Sequence, residues 1–99
     1  MGVCLLFAVL FVAPDDASAQ GAGAMSGDYV CARGCRLTDA APSVRIDAGD
    51  AVCVNEFGGL FRGRVLTANS IACFNKVGAM QSDGKTIRWD DGVIWIRRK

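Results

Sequence analysis

Apolar and polar residues alternate along most of this chain with the two-residue period of β-strands. Residues 43–47 alternate strictly, and residues 60–67 place Phe61 and Val65 on one side and Arg62 and Arg64 on the other, with Gly63 expected to form a bulge. No window of 11 or more residues carries the apolar stripe of an amphipathic helix. The pattern predicts strands at residues 28–32, 43–47, 51–55, 60–67, 70–75, 85–90 and 93–97.

Turn-forming residues separate these segments every 8 to 12 positions, which is the spacing of a small antiparallel barrel or sandwich. Residues 48–50 and 57–59 predict two of the turns, and residues 78–84 are expected to form a loop whose strongest turn signal is 82–84. We therefore predict an all-β fold, a small antiparallel meander that closes into a barrel or sandwich.

The C-terminal segment predicts a hairpin around Asp91-Gly92. A two-residue turn would place Arg88 opposite Trp95, where the guanidinium could stack on the indole ring. A three-residue loop over 90–92 would instead bring Trp89 and Trp95 to one face and turn Arg88 outward. The sequence predicts the turn and leaves both registers open.

The first 19 residues predict an export signal. Residues 3–13 form an apolar run that is too short for a membrane span of about 20 residues, and Ala17-Ser18-Ala19 is a pattern that signal peptidases cleave. Only Met1 and Gly2 precede the run, so the signal lacks a basic start unless translation begins further upstream. We expect a signal peptide over 1–19, a flexible Gly/Ala/Ser-rich leader over 20–27 and a single small β domain over 28–99.

Four cysteines follow the expected cleavage site, and an even number in a small exported domain predicts two disulfides. Because a core of this size supplies only about 3–5 kcal/mol, such cross-links are expected to staple the fold. Three pairings are possible among Cys31, Cys35, Cys53 and Cys73. We slightly favour pairing Cys31 and Cys35 each with a later cysteine, since strands on either side of a common neighbour hold their Cα atoms about 9–10 Å apart.

Two other uses of these cysteines fit the spacing less well. A thioredoxin-like redox site has C-x-x-C at the start of a helix, whereas Cys31 and Cys35 are one residue further apart and no helix is predicted after them. A four-cysteine zinc site has two close pairs, whereas Cys53 and Cys73 lie 20 residues apart. We expect no metal site and no cofactor.

Composition excludes several classes of function. The chain has no histidine, which removes the commonest general base and the commonest metal ligand. Removal of Asp15 and Asp16 with the signal would raise the net charge from +1 to about +3, well below the charge of a dedicated nucleic-acid binder. No catalytic residues are assigned, because no nucleophile with a histidine base can be assembled.

Four residues are candidates for contact with a partner. Arg62 and Arg64 share one strand face and could meet an envelope protein or a polyanionic surface, although a solvated face that deters edge pairing is the simpler explanation. Arg88 and Trp95 are the other two, with core packing as the simpler explanation of the tryptophan. An exposed loop at 55–59 is expected beside this basic half of the chain.

The spacing Ile87-x-Trp89-x-Asp91-Gly92-x-x-Trp95-x-Arg97, with Tyr29-x-Cys31 and Asn55-Glu56 upstream, resembles short exported bacterial proteins of unassigned function. The resemblance covers most of the expected mature chain and implies a compartment but no activity. The plan of signal peptide, disulfide and β-barrel is also similar to that of small periplasmic lysozyme inhibitors, as a likeness of architecture alone.

The sequence thus predicts a monomeric periplasmic or secreted protein with no membrane span after cleavage. Its expected function is non-catalytic binding, as an accessory or inhibitor-like module of the cell envelope. A structural or stress-related envelope protein without a discrete ligand is the alternative, and a thiol-disulfide oxidoreductase is the least favoured hypothesis.

Overall fold

The computed structural model describes residues 22–37 and 40–98 and shows an antiparallel barrel of eight strands. Each strand pairs with the next along the chain, and β1 pairs with β8 to close the sheet. The strands are β1 (Gly27–Arg33), β2 (Ser43–Asp47), β3 (Asp50–Val54), β4 (Leu60–Thr67), β5 (Ser70–Cys73), β6 (Lys76–Met80), β7 (Thr86–Trp89) and β8 (Ile94–Arg97). The predicted all-β antiparallel meander is confirmed, and it closes as a barrel. The expected signal peptide lies outside the described residues.

The alternation seen in the sequence corresponds to the two faces of the barrel wall. The interior is filled by buried side chains from β1, β2, β3, β5, β7 and β8. Strand β6 contributes the buried Gly78, and β4 has no fully buried residue. The core consists of Met25, Tyr29, Val44, Ala51, Cys53, Ile71, Cys73, Ile87, Trp89 and Trp95. The exposed arginine and aliphatic side chains of the strands lie on the outer surface, whereas Ile46, Val65 and Met80 are half-buried against the core. The barrel thus has a packed centre and a mixed exterior.

Two disulfides cross-link the barrel, and they differ from the favoured pairing. Cys31 pairs with Cys35, and Cys53 on β3 pairs with Cys73 on β5 across the intervening strand β4. The expectation of a separation of about 9–10 Å was wrong here, because the inward curvature of the wall brings the two Cα atoms to 6.5 Å. Gly63 is the β4 residue under this bridge. It pairs regularly with Ala51 and forms no bulge; the register shift in β4 lies between Val65 and Thr67.

Strand β6 occupies part of the segment that was expected to be a loop. Residues 78–80 pair with β5 and β7, so the loop prediction for 78–84 holds only after Met80. Packing explains the glycine at position 78, because a Cβ atom there would lie 2.9 Å from Cζ3 of Trp89. Gly78 therefore makes room for an indole ring inside the barrel and does not mark a turn.

The C-terminal hairpin adopts the three-residue loop. Ile87 pairs with Trp95 and Arg88 with Ile94, which leaves residues 90–92 as the connection. Both indoles consequently face the interior, so of the two registers left open by the sequence the one that stacks Arg88 on Trp95 is not adopted. Burial of two tryptophan side chains accounts for this register, since each buries a large apolar area.

The lower end of the barrel, where β1 begins, is closed by residues 23–26, which we call the plug. Gly23–Met25 form a 3₁₀ turn, and the side chain of Met25 is buried in the core. Tyr29 donates a hydrogen bond to the carbonyl of Met25 (2.6 Å), and Arg97 donates to the carbonyls of Ala24 and Ser26. The prediction of a flexible leader over 20–27 is therefore corrected from residue 22 onward, because Met25 supplies apolar contacts that fix this segment.

Candidate binding site

The opposite end of the barrel, which we call the mouth, carries the connections that follow β1, β3, β5 and β7. An up-and-down barrel places alternate connections at the same end, so residues widely separated in sequence meet here. The mouth opens into a cavity of about 420 Å³. Its lining comprises Cys35, Asn55, Glu56, Phe57, Phe61, Arg62, Phe74, Asn75, Lys76, Trp89, Asp91, Val93 and Trp95.

Aromatic rings form the walls and floor of this cavity. Phe61 contacts Phe74 edge-on at 5.1 Å between ring centroids, and Phe74 lies 5.5 Å from Trp89. Trp89 in turn lies 4.9 Å from Trp95, whose ring approaches Tyr29 above the plug. These spacings and tilts are those of favourable aromatic pairs. Both tryptophans are only 3 % exposed, so they form the floor, whereas Phe61 is 43 % exposed and forms the accessible wall.

A tight turn holds Phe74 in this arrangement. Phe74 and Asn75 connect β5 to β6 as a two-residue loop, and both have left-handed backbone angles, with φ of 60° and 58°. Asparagine tolerates this region, whereas an aromatic residue there stores strain of order 1–3 kcal/mol. The ring contacts of Phe74 with Phe61, Trp89 and Trp95 offset that strain.

The loop between β3 and β4, residues 55–59, forms one side of the rim and is fixed by Asn55. The side-chain oxygen of Asn55 accepts hydrogen bonds from the N–H groups of Phe57 (3.0 Å) and Gly59 (2.8 Å). Its backbone N–H also donates to the carbonyl of Gly59 (2.9 Å). Phe57 extends from this ordered loop with 62 % of its surface exposed. A rigid loop that presents an exposed aromatic ring is a common feature of binding surfaces.

Charged groups complete the rim, and they carry both signs. Lys76 and Asp91 form an ion pair at 2.5 Å that ties the start of β6 to the loop after β7. Glu56 accepts a hydrogen bond from the backbone N–H of Leu37 (2.9 Å), which joins two further connections. Burial acts to raise the pKa of Asp91, but the hydrogen bond and charge of Lys76 and the N–H of Val93 outweigh it, so the pKa is lowered. The carboxylate of Asp91 is therefore held ionised at neutral pH.

One buried polar atom beneath the cavity has no hydrogen-bond partner in the described residues. The indole N–H of Trp89 is buried and is the only buried side-chain nitrogen or oxygen in residues 22–37 and 40–98 without a hydrogen bond. Buried donors are nearly always satisfied in folded proteins. A ring that lines the cavity thus carries a donor that lacks an acceptor.

The four predicted partner-binding residues do not form one surface. Arg62 lies at the rim of the cavity, and Arg64 lies further along β4, opposite Asp50. Arg88 is on the outer face of β7, separated from β4 by the two strands β5 and β6, and Trp95 is in the floor of the cavity. The structure brings together Arg62, Trp95 and the loop at 55–59, but not Arg64 or Arg88.

Sequence reasoning missed the central residues of this site, Phe61, Phe74, Asn75 and Lys76. Phe61 was predicted on the face opposite the arginines, which the register confirms, but nothing local shows that this face leads to an open cavity. Phe74 and Asn75 were assigned to a strand, because a left-handed turn usually contains glycine. The nearest sequence signal is that five aromatic residues fall in the connections and strand ends between 57 and 95.

The described part of the chain also bears on metal binding and on membrane insertion. Residues 22–37 and 40–98 contain no group of three or more acidic, cysteine or histidine side chains placed to hold a metal ion. Among the same residues, no helix is long and apolar enough to cross a membrane. Comparison with protein-family models, with curated proteins and with solved structures finds no match to this chain.

Proposed function

We propose that this chain is an exported, non-catalytic binding module that recognises its partner through the mouth of the barrel. The observation that carries this proposal is the asymmetry between the two ends. The lower end is sealed by the plug, with Met25 buried and Arg97 bonded to two plug carbonyls. The mouth is left open above an aromatic cavity of about 420 Å³, within the usual range for ligand sites. Small eight-stranded barrels have an interior that is either filled or able to hold one small ligand.

Binding is favoured over catalysis by the state of the polar groups at the mouth. The chain has no histidine, and both carboxylates of the rim already have partners. Asp91 is paired with Lys76, and Glu56 accepts a hydrogen bond from the N–H of Leu37. A general acid or base needs a pKa near the working pH, whereas the pKa of Asp91 is lowered away from it. These groups are suited to orienting a ligand.

Export is supported by two independent features. The two disulfides are compatible with an oxidising extracellular or periplasmic location, since reducing compartments rarely maintain such bonds. The apolar segment at 3–13 followed by Ala17-Ser18-Ala19 has the form of a cleavable signal. A periplasmic or secreted location accords with both.

The mouth is a better partner surface than the arginines. Phe57, Leu60 and Leu37 are exposed large apolar side chains on or beside the connections at this end, and Phe61 is exposed in the cavity wall. An apolar cluster rimmed by polar groups is typical of interaction sites. Arg64 and Arg88 lie on separate strands, and Asp50 is opposite Arg64, so these two arginines do not share a continuous basic face with Arg62.

Capture from an envelope extract, with both proteins and polysaccharides identified, tests the proposal. The informative variant is Phe57→Ser, and Leu66→Ser is its matched control, because Leu66 is 44 % exposed on β4 near the sealed end. We expect wild type and Leu66→Ser to retain the same partner and Phe57→Ser to lose it. Equal retention by all three proteins, or retention of nothing by any of them, contradicts the proposal, and the second result supports a structural envelope protein without a ligand.

A further inference from the structure

We propose that the cavity at the mouth binds an uncharged sugar ring. This inference rests on the proposed function, since it assigns a ligand class to the same site. A sugar ring has apolar C–H faces and an equatorial belt of hydroxyl groups that both donate and accept hydrogen bonds. The cavity has a matching division between its walls and its rim.

The walls match the C–H faces of a sugar. Phe57 and Phe61 are the accessible aromatic surfaces, at 62 % and 43 % exposure, and Phe74 stands between Phe61 and the buried indoles. Flat aromatic faces bury apolar ring area without requiring a flexible partner. Phe74 is fixed by its turn and Phe57 belongs to a hydrogen-bonded loop, so the walls are largely formed before any ligand arrives.

The rim matches hydroxyl groups better than a charged ligand. Arg62 and Lys76 supply two positive groups, and Glu56 and Asp91 supply two negative ones, so the rim has no net charge. Lys76 and Asp91 neutralise each other directly. An anion or a cation would therefore meet one repulsive group for each attractive one, whereas a hydroxyl can accept from the cations and donate to the carboxylates.

Intrinsic fluorescence provides a direct test, because the chain contains two tryptophans and both line the cavity. The purified, oxidised protein is titrated with three uncharged disaccharides, cellobiose, maltose and N,N′-diacetylchitobiose, and with acyclic sorbitol as a control. We expect a saturable change in emission with at least one disaccharide and none with sorbitol. Removal of one stacking ring by Phe61→Ala should weaken the binding of that disaccharide by up to about tenfold. Leu66→Ala should leave the affinity for the disaccharide unchanged.

The outcomes separate this inference from the function on which it rests. No saturable change with any disaccharide overturns the sugar assignment. Saturation by the apolar anion 8-anilino-1-naphthalenesulfonate without any response to sugars also overturns it, but leaves the mouth as a binding site. Near-ultraviolet circular dichroism of each variant verifies that the aromatic packing is intact. The proposed function itself fails only if the Phe57→Ser and Leu66→Ser proteins behave alike in the capture experiment.

Discussion

Gly63 lies directly beneath the sulfur of Cys73. A Cβ atom at position 63 would stand 2.7 Å from that sulfur and 1.8 Å from the carbonyl oxygen of Ala72, distances that no side chain can occupy. The missing side chain therefore lets the bridge from Cys53 to Cys73 cross β4 inside the barrel. The glycine and the disulfide form one unit, although nothing in their sequence positions connects them.

Gly63→Ala is expected to destabilise the protein by at least about 2 kcal/mol, because the added methyl group overpacks backbone and sulfur that cannot move aside. Gly49→Ala is the matched control, since a Cβ there meets nothing within 4 Å. Urea unfolding measures both free energies, and a free-thiol count shows whether the bridge still forms. A fully oxidised Gly63→Ala protein of wild-type stability would contradict this account of β4.

The two disulfides should differ in accessibility and in their contribution to stability. Cys53 and Cys73 are buried, whereas Cys31 and Cys35 are partly exposed. Mild reductant without denaturant should open Cys31–Cys35 first, as mapped by alkylation and mass spectrometry. The Cys53–Cys73 bridge closes a loop of 20 residues, so its loss in Cys53→Ala/Cys73→Ala should lower the free energy of unfolding by about 3 kcal/mol. The Cys31–Cys35 bridge spans only 4 residues, and its loss should cost about 2 kcal/mol. Earlier reduction of the buried bridge would refute the order.

Arg97→Lys should loosen the plug even though the charge is kept. The guanidinium donates to the carbonyls of Ala24 and Ser26 and lies 5.2 Å from the centroid of the Tyr29 ring, a geometry that a lysine ammonium does not reproduce. We expect a loss of about 1–2 kcal/mol in the free energy of unfolding and faster hydrogen exchange at residues 23–26. Arg98→Lys, next along the chain, should change neither quantity.

The ion pair at the mouth should make stability depend on pH in the acid range. The pKa of Asp91 is lowered in the folded protein, so the unfolded chain binds a proton more readily and stability falls as the pH drops below the ordinary value of 3.8. Asp91→Asn should be slightly less stable than wild type at pH 7, by under about 1 kcal/mol for so exposed a pair. That difference should disappear on acidification. Asp47→Asn, at the sealed end, serves as the control, and an equal response of both variants would contradict the role of Lys76.

The extent of the fold that could be predicted follows from which forces act locally. Alternation within residues 43–47 and 60–67 defined two strands with their observed bounds, because one-sided burial imposes a period of two. Strand β6 was missed because Gly78 looks like a turn residue in the sequence. It is a glycine because the ring of Trp89 on the neighbouring strand leaves no room for a side chain, a contact that the local sequence does not reveal. The three-residue hairpin loop was one of two open registers, and burial of Trp95 decided it.

The site was less predictable than the fold. The loop at 55–59 was expected, and Arg62 and Trp95 do line the cavity. The cavity depends on Phe74, whose left-handed turn lacks the glycine that normally identifies it. It also depends on closure of β1 against β8, which places the connections after β1 and β7 side by side. Both are consequences of the complete barrel.

Closure through the first and last strands also constrains how the protein can be made. β8 is the final strand of the chain, and Arg97 holds a segment more than 70 residues earlier. Until β8 is available, β1 has an unpaired edge and the N-terminal turn has nothing to seal, so no intermediate length of chain has a complete sheet. Loss of residues 94–97 should therefore leave β1 with an unpaired edge and make the chain prone to aggregation.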